Sequence, residues 1–209
     1  MFRFLVFVLA IFACSHTAAR PVSYPGGWTL MSMNDGDRYS GHLHYSPTAF
    51  YSLGYKAEYW REFEFQLHAV QLNNLLRRWN KRHSQANLYL KTGAGMTSLD
   101  SGGKVDPVAY ASIAADWETR RYFLSYENRL TLSPAIEENF RHKARIGIAP
   151  YIAEFGKMHT WIMLEARHAP ESRNEFVVTP LLRFFKGPGL LETGYSSTGK
   201  LLFNFVYRF

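Results

Sequence analysis

From about residue 27 onward the chain alternates apolar and polar residues at period two almost to its end. Period two sends successive side chains to opposite faces of a β-strand. In 85–97, Ala86, Leu88, Leu90, Thr92, Ala94 and Met96 form one face, while Gln85, Asn87, Tyr89 and Lys91 form the other. In 107–118, Ala109, Ala111, Ile113, Ala115 and Trp117 oppose Tyr110, Ser112, Asp116 and Glu118. In 140–154, Ala144, Ile146, Ile148 and Ile152 oppose Lys143, Arg145 and Tyr151. The pattern predicts strands at 27–34, 38–46, 49–60, 63–78, 85–97, 107–118, 121–132, 140–154, 158–168, 175–186, 189–196 and 199–209. Within 63–78 the alternation is clean only to Ala69, after which Leu72, Leu75, Leu76 and Trp79 fall at helical spacing. A strand with a bulge that turns Gln71 and Asn73 inward is preferred there to a short amphipathic helix.

Turn residues separate the strands. Asp35-Gly36 is a strong two-residue hairpin signal, because both central positions of that turn need positive φ. Such a loop pairs residues whose numbers sum to 71, so Thr29 faces His42, Met31 faces Ser40 and Met33 faces Arg38. Three connections are longer, at 98–106, 133–139 and 169–174. All three fall on the same side if the first strand rises from the periplasm, which favours an even, twelve-strand count. Ten strands remain if the first hairpin is only a rim or plug.

The last strand carries the strongest signal. Leu201, Phe203, Phe205, Tyr207 and Phe209 alternate strictly, and the terminal residue is aromatic. Lipid can cover such a face. The segment resembles the C-terminal strand of bacterial outer-membrane β-barrels, in which Phe205, Tyr207 and Phe209 would belong to the signal read by the assembly machinery. At the other end, Met1-Phe-Arg3, the apolar run Phe4 to Ala13 and the small residues Thr17-Ala18-Ala19 form a secretory signal peptide over residues 1–19. The only cysteine, Cys14, follows Ile11-Phe12-Ala13, a poor lipobox, so lipidation is disfavoured. Cleavage after Ala19 leaves one barrel domain over 20–209 and no thiol chemistry. The resemblance implies the outer membrane of a Gram-negative bacterium.

Composition agrees. Hydrophobic residues make up 47% and aromatics 16%, with 13 Tyr and 16 Phe. No mature segment has the apolar length of a spanning helix, and aromatics suit the girdles of a barrel. A net charge of +7 suits anionic lipopolysaccharide or an anion-attracting lumen, and a nucleic-acid partner is not expected of an exported chain.

Chemistry is expected in the lumen. The predicted inward set includes Lys56, Glu58, Glu64, Gln66, His68, Lys91, Asp116, Glu118, Glu127, Arg129, Lys143, Arg145, Glu165, Arg167, Arg183, Glu192, Lys200 and Asn204. Buried charges of both signs must pair or stay wet. They predict a stiffening network or a wet pore wall of weak selectivity. Met31, Met33, His42 and His44 share one predicted face, with His68 placed near Lys56; this thioether and imidazole set suits copper or silver. Copper apart, no cofactor is expected. An enzyme is disfavoured. His44-Tyr45-Ser46 is the one His-x-Ser pair like those of barrel lipases, and it falls at the periplasmic end facing inward. Asp100 and Asp106 share a loop that holds no histidine. The leading expectation is a narrow channel for small polar solutes; the alternative is a closed structural or interaction barrel.

Overall fold

The computed structural model describes residues 22–209 apart from 103 and 155, and of Glu137 only the backbone. The predicted signal peptide, with Cys14, lies outside the described residues. The strands are β1 (Gly27–Asn34), β2 (Arg38–Ser46), β3 (Tyr51–Trp60), β4 (Phe65–Asn80), β5 (Ser84–Leu99), β6 (Val105–Thr119), β7 (Tyr122–Ser133), β8 (Glu137–Ile148), β9 (His159–His168), β10 (Phe176–Lys186), β11 (Gly189–Tyr195) and β12 (Leu201–Arg208). Each pairs antiparallel with its sequence neighbour, and β1 pairs with β12, so the sheet closes into a barrel with no free edge. The fold is a twelve-stranded transmembrane antiparallel β-barrel.

The alternation explains the closure. Outward positions carry Leu30, Leu43, Leu53, Val70, Ile113, Leu124, Ile146 and Ile162, all at least 40% exposed. Water would not tolerate so continuous an apolar surface, whereas lipid needs it. The end of the barrel nearest residue 22 and the C-terminus, here the proximal end, is ringed by outward Trp28, Tyr45, Tyr51, Trp79, Trp117, Tyr122 and Tyr207. The opposite, distal end carries outward Tyr39, Phe176 and Tyr195. Aromatic belts of this kind sit at bilayer interfaces. Phe203, Phe205, Tyr207 and Phe209 face outward, with inward Asn204, Val206 and Arg208 between them.

Four sequence expectations need correction. The β1–β2 register pairs Thr29 with His44, Met31 with His42 and Met33 with Ser40. Asn34 pairs with Tyr39, so the turn is centred on Gly36-Asp37 and not on Asp35-Gly36: Asp35 N donates to Arg38 O, Asp35 Oδ1 accepts hydrogen bonds from Asp37 N and Arg38 N, and Gly36 takes φ +86°. The slip of two residues leaves every side chain on its expected face.

The phase of early β4 is inverted. Phe65, Leu67 and Ala69 point inward, while Gln66 and His68 point outward and Glu64 lies exposed in the preceding turn. Glu64 and His68 therefore do not line the lumen. Phe65, Leu67 and Ala69 pack with Trp60, Val108 and Tyr110 in an internal apolar cluster. Outside, the Tyr55 hydroxyl lies 2.5 Å from His68 Nδ1, and Gln66 donates to Asp100.

The segment 72–80 is strand, with its irregularity between Leu75 and Arg77. Gln71 and Asn73 face inward in the phase set by Phe65, without a bulge before them.

Finally, β8 ends at Ile148, and the connection 149–158 at the proximal end is the longest in the barrel. Pro150 lacks the N–H that a continuing strand would need. Two of the three expected long distal loops shrink, because β5, β6, β7 and β8 run further into them, while the third spans 169–175. Loop length thus does not sort by side as predicted, although the strand count stands.

Candidate functional site: the barrel interior

Most of the predicted lumen residues face the interior. Lys56, Glu58, Lys91, Asp116, Glu127, Arg129, Lys143, Arg145, Glu165 and Arg183 line one cavity of 240 Å³. Glu118 lies on the inward face of β6 near its proximal end, and Arg167 is buried near the distal end.

Strand pairing places three carboxylates at the centres of small networks. Glu58 lies 2.7 Å from Lys56 Nζ and 2.6 Å from Arg129 Nη1, and also accepts from Trp60 Nε1. Glu127 accepts from Lys91 at 2.8 Å and from the Ser112 hydroxyl at 3.0 Å, with Lys143 at 3.9 Å. Glu192 accepts from Arg145, Arg183 and Asn204. Arg145 also donates to Glu165 at 2.6 Å. An isolated ion in such an interior would cost several kcal/mol, roughly, so each carboxylate gathers cations.

Some of these contacts cross the barrel. Arg38 on β2 donates to Asn139 Oδ1 on β8 at 2.7 Å. In the closed strand order β2 and β8 are six strands apart either way, so this bond spans the diameter. Arg129 on β7 likewise reaches Glu58 on β3.

The distal mouth is capped by the β1–β2 turn. Asp35 pairs with Arg141 and, at 3.3 Å, with Arg167. Asp37 pairs with Arg167 and, at 2.6 Å, with Lys200 of the β11–β12 turn. Arg61 donates to Gly36 O. Burial alone would raise the pKa of Asp35, but Arg141 and Arg167 hold the carboxyl well below the usual carboxylate range. The sequence reading missed this clasp. Asp35 reads in the sequence as a turn former, and only the closed barrel brings Arg141 and Arg167 against Asp35 and Arg167 against Asp37.

At the proximal end the segment before β1 makes an apolar contact with the inner wall. Val22 is 3% exposed and packs against inward Leu75, Tyr89 and Ala114. Ser23 N donates to the inward Ser46 hydroxyl. The interior is therefore a cavity between an ionic clasp and an apolar seat.

The four predicted soft-metal ligands share the inward face of β1 and β2. Met31, Met33 and His42 line the cavity, and the rings of His42 and His44 lie 4.6 Å apart. Among the described residues no three His, Cys, Asp or Glu side chains converge on a metal position. His44 and Ser46 are both fully buried, so the His-x-Ser pair faces away from lipid.

No protein-family model matches the chain, and no curated protein matches it. Among solved structures it is similar to OccAB4 of Acinetobacter baumannii, with 10% identity and a TM-score of 0.41. That likeness covers 86% of this chain, which spans 57% of OccAB4. It is also similar to a loop L8 deletion mutant of OmpT, an outer membrane protein of Vibrio cholerae, with 9% identity and a TM-score of 0.31. That likeness covers 88% of this chain and 96% of the other. The assignment as a transmembrane barrel rests on closure, the apolar outer surface and the aromatic belts.

Proposed function

We propose that this protein is a non-enzymatic barrel of a Gram-negative outer membrane whose lumen is closed at rest. The observation that carries the reading is the double seal, with the Asp35/Asp37 clasp at one end and Val22 at the other. The cross-barrel bond from Arg38 to Asn139 supports it. Its natural surroundings are outer-membrane lipid and lipopolysaccharide. The outward face of Phe205, Tyr207 and Phe209 is offered to the assembly machinery.

A second reading is favoured by the polar cavity between the seals: a gated, narrow passage for small polar solutes. The clasp is a turn held by side chains, so releasing it costs ion pairs rather than strand pairing. Swelling of liposomes containing the folded protein in arabinose tests both. The wild type is expected to leave the liposomes impermeable. Faster swelling with Asp35→Asn/Asp37→Asn once Val22→Gly has removed the other seal supports the gate, and rapid swelling with the wild type overturns the closed reading.

A further inference from the structure

The Met/His wall of the cavity concentrates buried imidazole nitrogens that have no partner. His44 is 0% exposed and neither of its ring nitrogens has a hydrogen-bond partner; His42 is 7% exposed and its Nε2 has none. Elsewhere in the interior the carboxylates are richly partnered. A buried polar atom without a partner costs about 1–3 kcal/mol and calls for an occupant, either an ordered water or an ion. Here three such nitrogens belong to two imidazoles whose rings are 4.6 Å apart.

The neighbours narrow the occupant. Met31 is the direct cross-strand partner of His42, and Met33 follows two residues later on the same face. Side chains directly opposite across an antiparallel pair have Cβ atoms about 5 Å apart, so the Met31 thioether is within reach of the His42 ring. On its other side His42 is paired with Lys56, whose charge is taken up by Glu58. No carboxylate belongs to the ligand set. Neutral imidazoles and thioethers suit a soft monovalent d¹⁰ ion, whereas a hard or divalent ion would want carboxylates.

We propose that Met31, His42 and His44, with Met33 as the adjoining thioether, form a binding site for one soft monovalent metal ion, Cu(I) or Ag(I). The site uses the sealed cavity of the closed-lumen reading. Its test is independent of conductance: a barrel that is silent in a bilayer can still fail to bind metal.

Silver, which needs no reductant, is the first probe. The folded barrel in detergent is titrated with Ag(I) at neutral pH and followed through the histidine ring NMR signals. X-ray absorption then defines the Cu(I)-loaded protein. Saturation at one ion per chain, perturbed His42 and His44 signals and a mixed nitrogen and sulfur shell are expected. The variants are Met31→Leu/Met33→Leu, which keeps volume and apolarity, and His42→Gln. Each is first shown to fold by its heat-modifiable migration. Loss of a direct ligand should weaken binding at least as much as loss of an outer partner, about tenfold or more. Absence of saturable binding to the folded wild type overturns the proposal. So does unchanged affinity in both variants, or a shell of nitrogen and oxygen alone; water is then the occupant.

Discussion

At the scale of the residue, Asp35 shows how one side chain can serve two structures. Its carboxylate holds the β1–β2 turn through Asp37 N and Arg38 N, and it accepts Arg141 and Arg167 from the far wall. The folded pKa is lowered, so the stability it supplies is fully present above the unfolded value of about 4 and is lost as pH falls through the folded value. Thermal stability attributable to Asp35 is therefore expected to be flat from pH 7 to about 5 and to decline below about pH 4. Gel migration after heating at each pH should show that acid loss is smaller in Asp35→Asn than in the wild type. Asp35→Asn should itself cost about 1–3 kcal/mol at pH 7. Gly36 makes a sharper demand. Its φ is +86°, and an added Cβ would lie 2.4 Å from Lys200 Cβ. Gly36→Ala should destabilise the folded barrel by at least about 1 kcal/mol, measured by urea unfolding from micelles. The turn was legible in the Asp-Gly pair, but its centre was not, because the Asp35 side chain accepts from Asp37 N and Arg38 N and so moves the turn one residue along.

At the scale of the element, β12 and β4 mark opposite limits of what the sequence discloses. In β12 the outward face is wholly apolar, and inward Asn204 reaches Glu192, so pattern and environment agree. In early β4 both faces contain acceptable lipid-facing candidates. The preference for apolar outside and polar inside chose Gln66 and His68 as inward. That rule fails near a barrel mouth, where an internal cluster around Trp60 and Tyr110 wants Phe65 and Leu67. Outward Gln66 and His68 there find Asp100 and Tyr55 instead. Single cysteines test the phase. Gln66→Cys should react with a membrane-impermeant thiol reagent in the folded barrel, and Leu67→Cys should react only after unfolding. The opposite order would restore the sequence-based phase. Leu67→Ala should cost about 2–5 kcal/mol, since Leu67 is 0% exposed. Gly93, by contrast, makes room. Its missing Cβ would meet the Tyr110 ring at 2.2 Å, and the Tyr110 hydroxyl donates to Gln71. Nothing in the local Gly93-Ala-Gly95 sequence names that neighbour.

At the scale of the whole molecule, closure and strand count were legible because alternation and turns recur along the chain. The double seal was not. It depends on partners far apart in sequence, such as Asp37 with Arg167 and Arg38 with Asn139, which meet only across a completed barrel. A list of inward charges of both signs describes a wet pore and an ionic plug equally well. The seat of Val22 against Leu75, Tyr89 and Ala114 adds a second barrier that no local pattern foretells. Single-channel recording of the folded protein in a planar bilayer at neutral pH tests this most directly. The account predicts no conducting steps from the wild type and steps only when both seals are removed, in Asp35→Asn/Asp37→Asn combined with Val22→Gly. Steady, discrete openings of the wild type would contradict it and make the lumen an open pore.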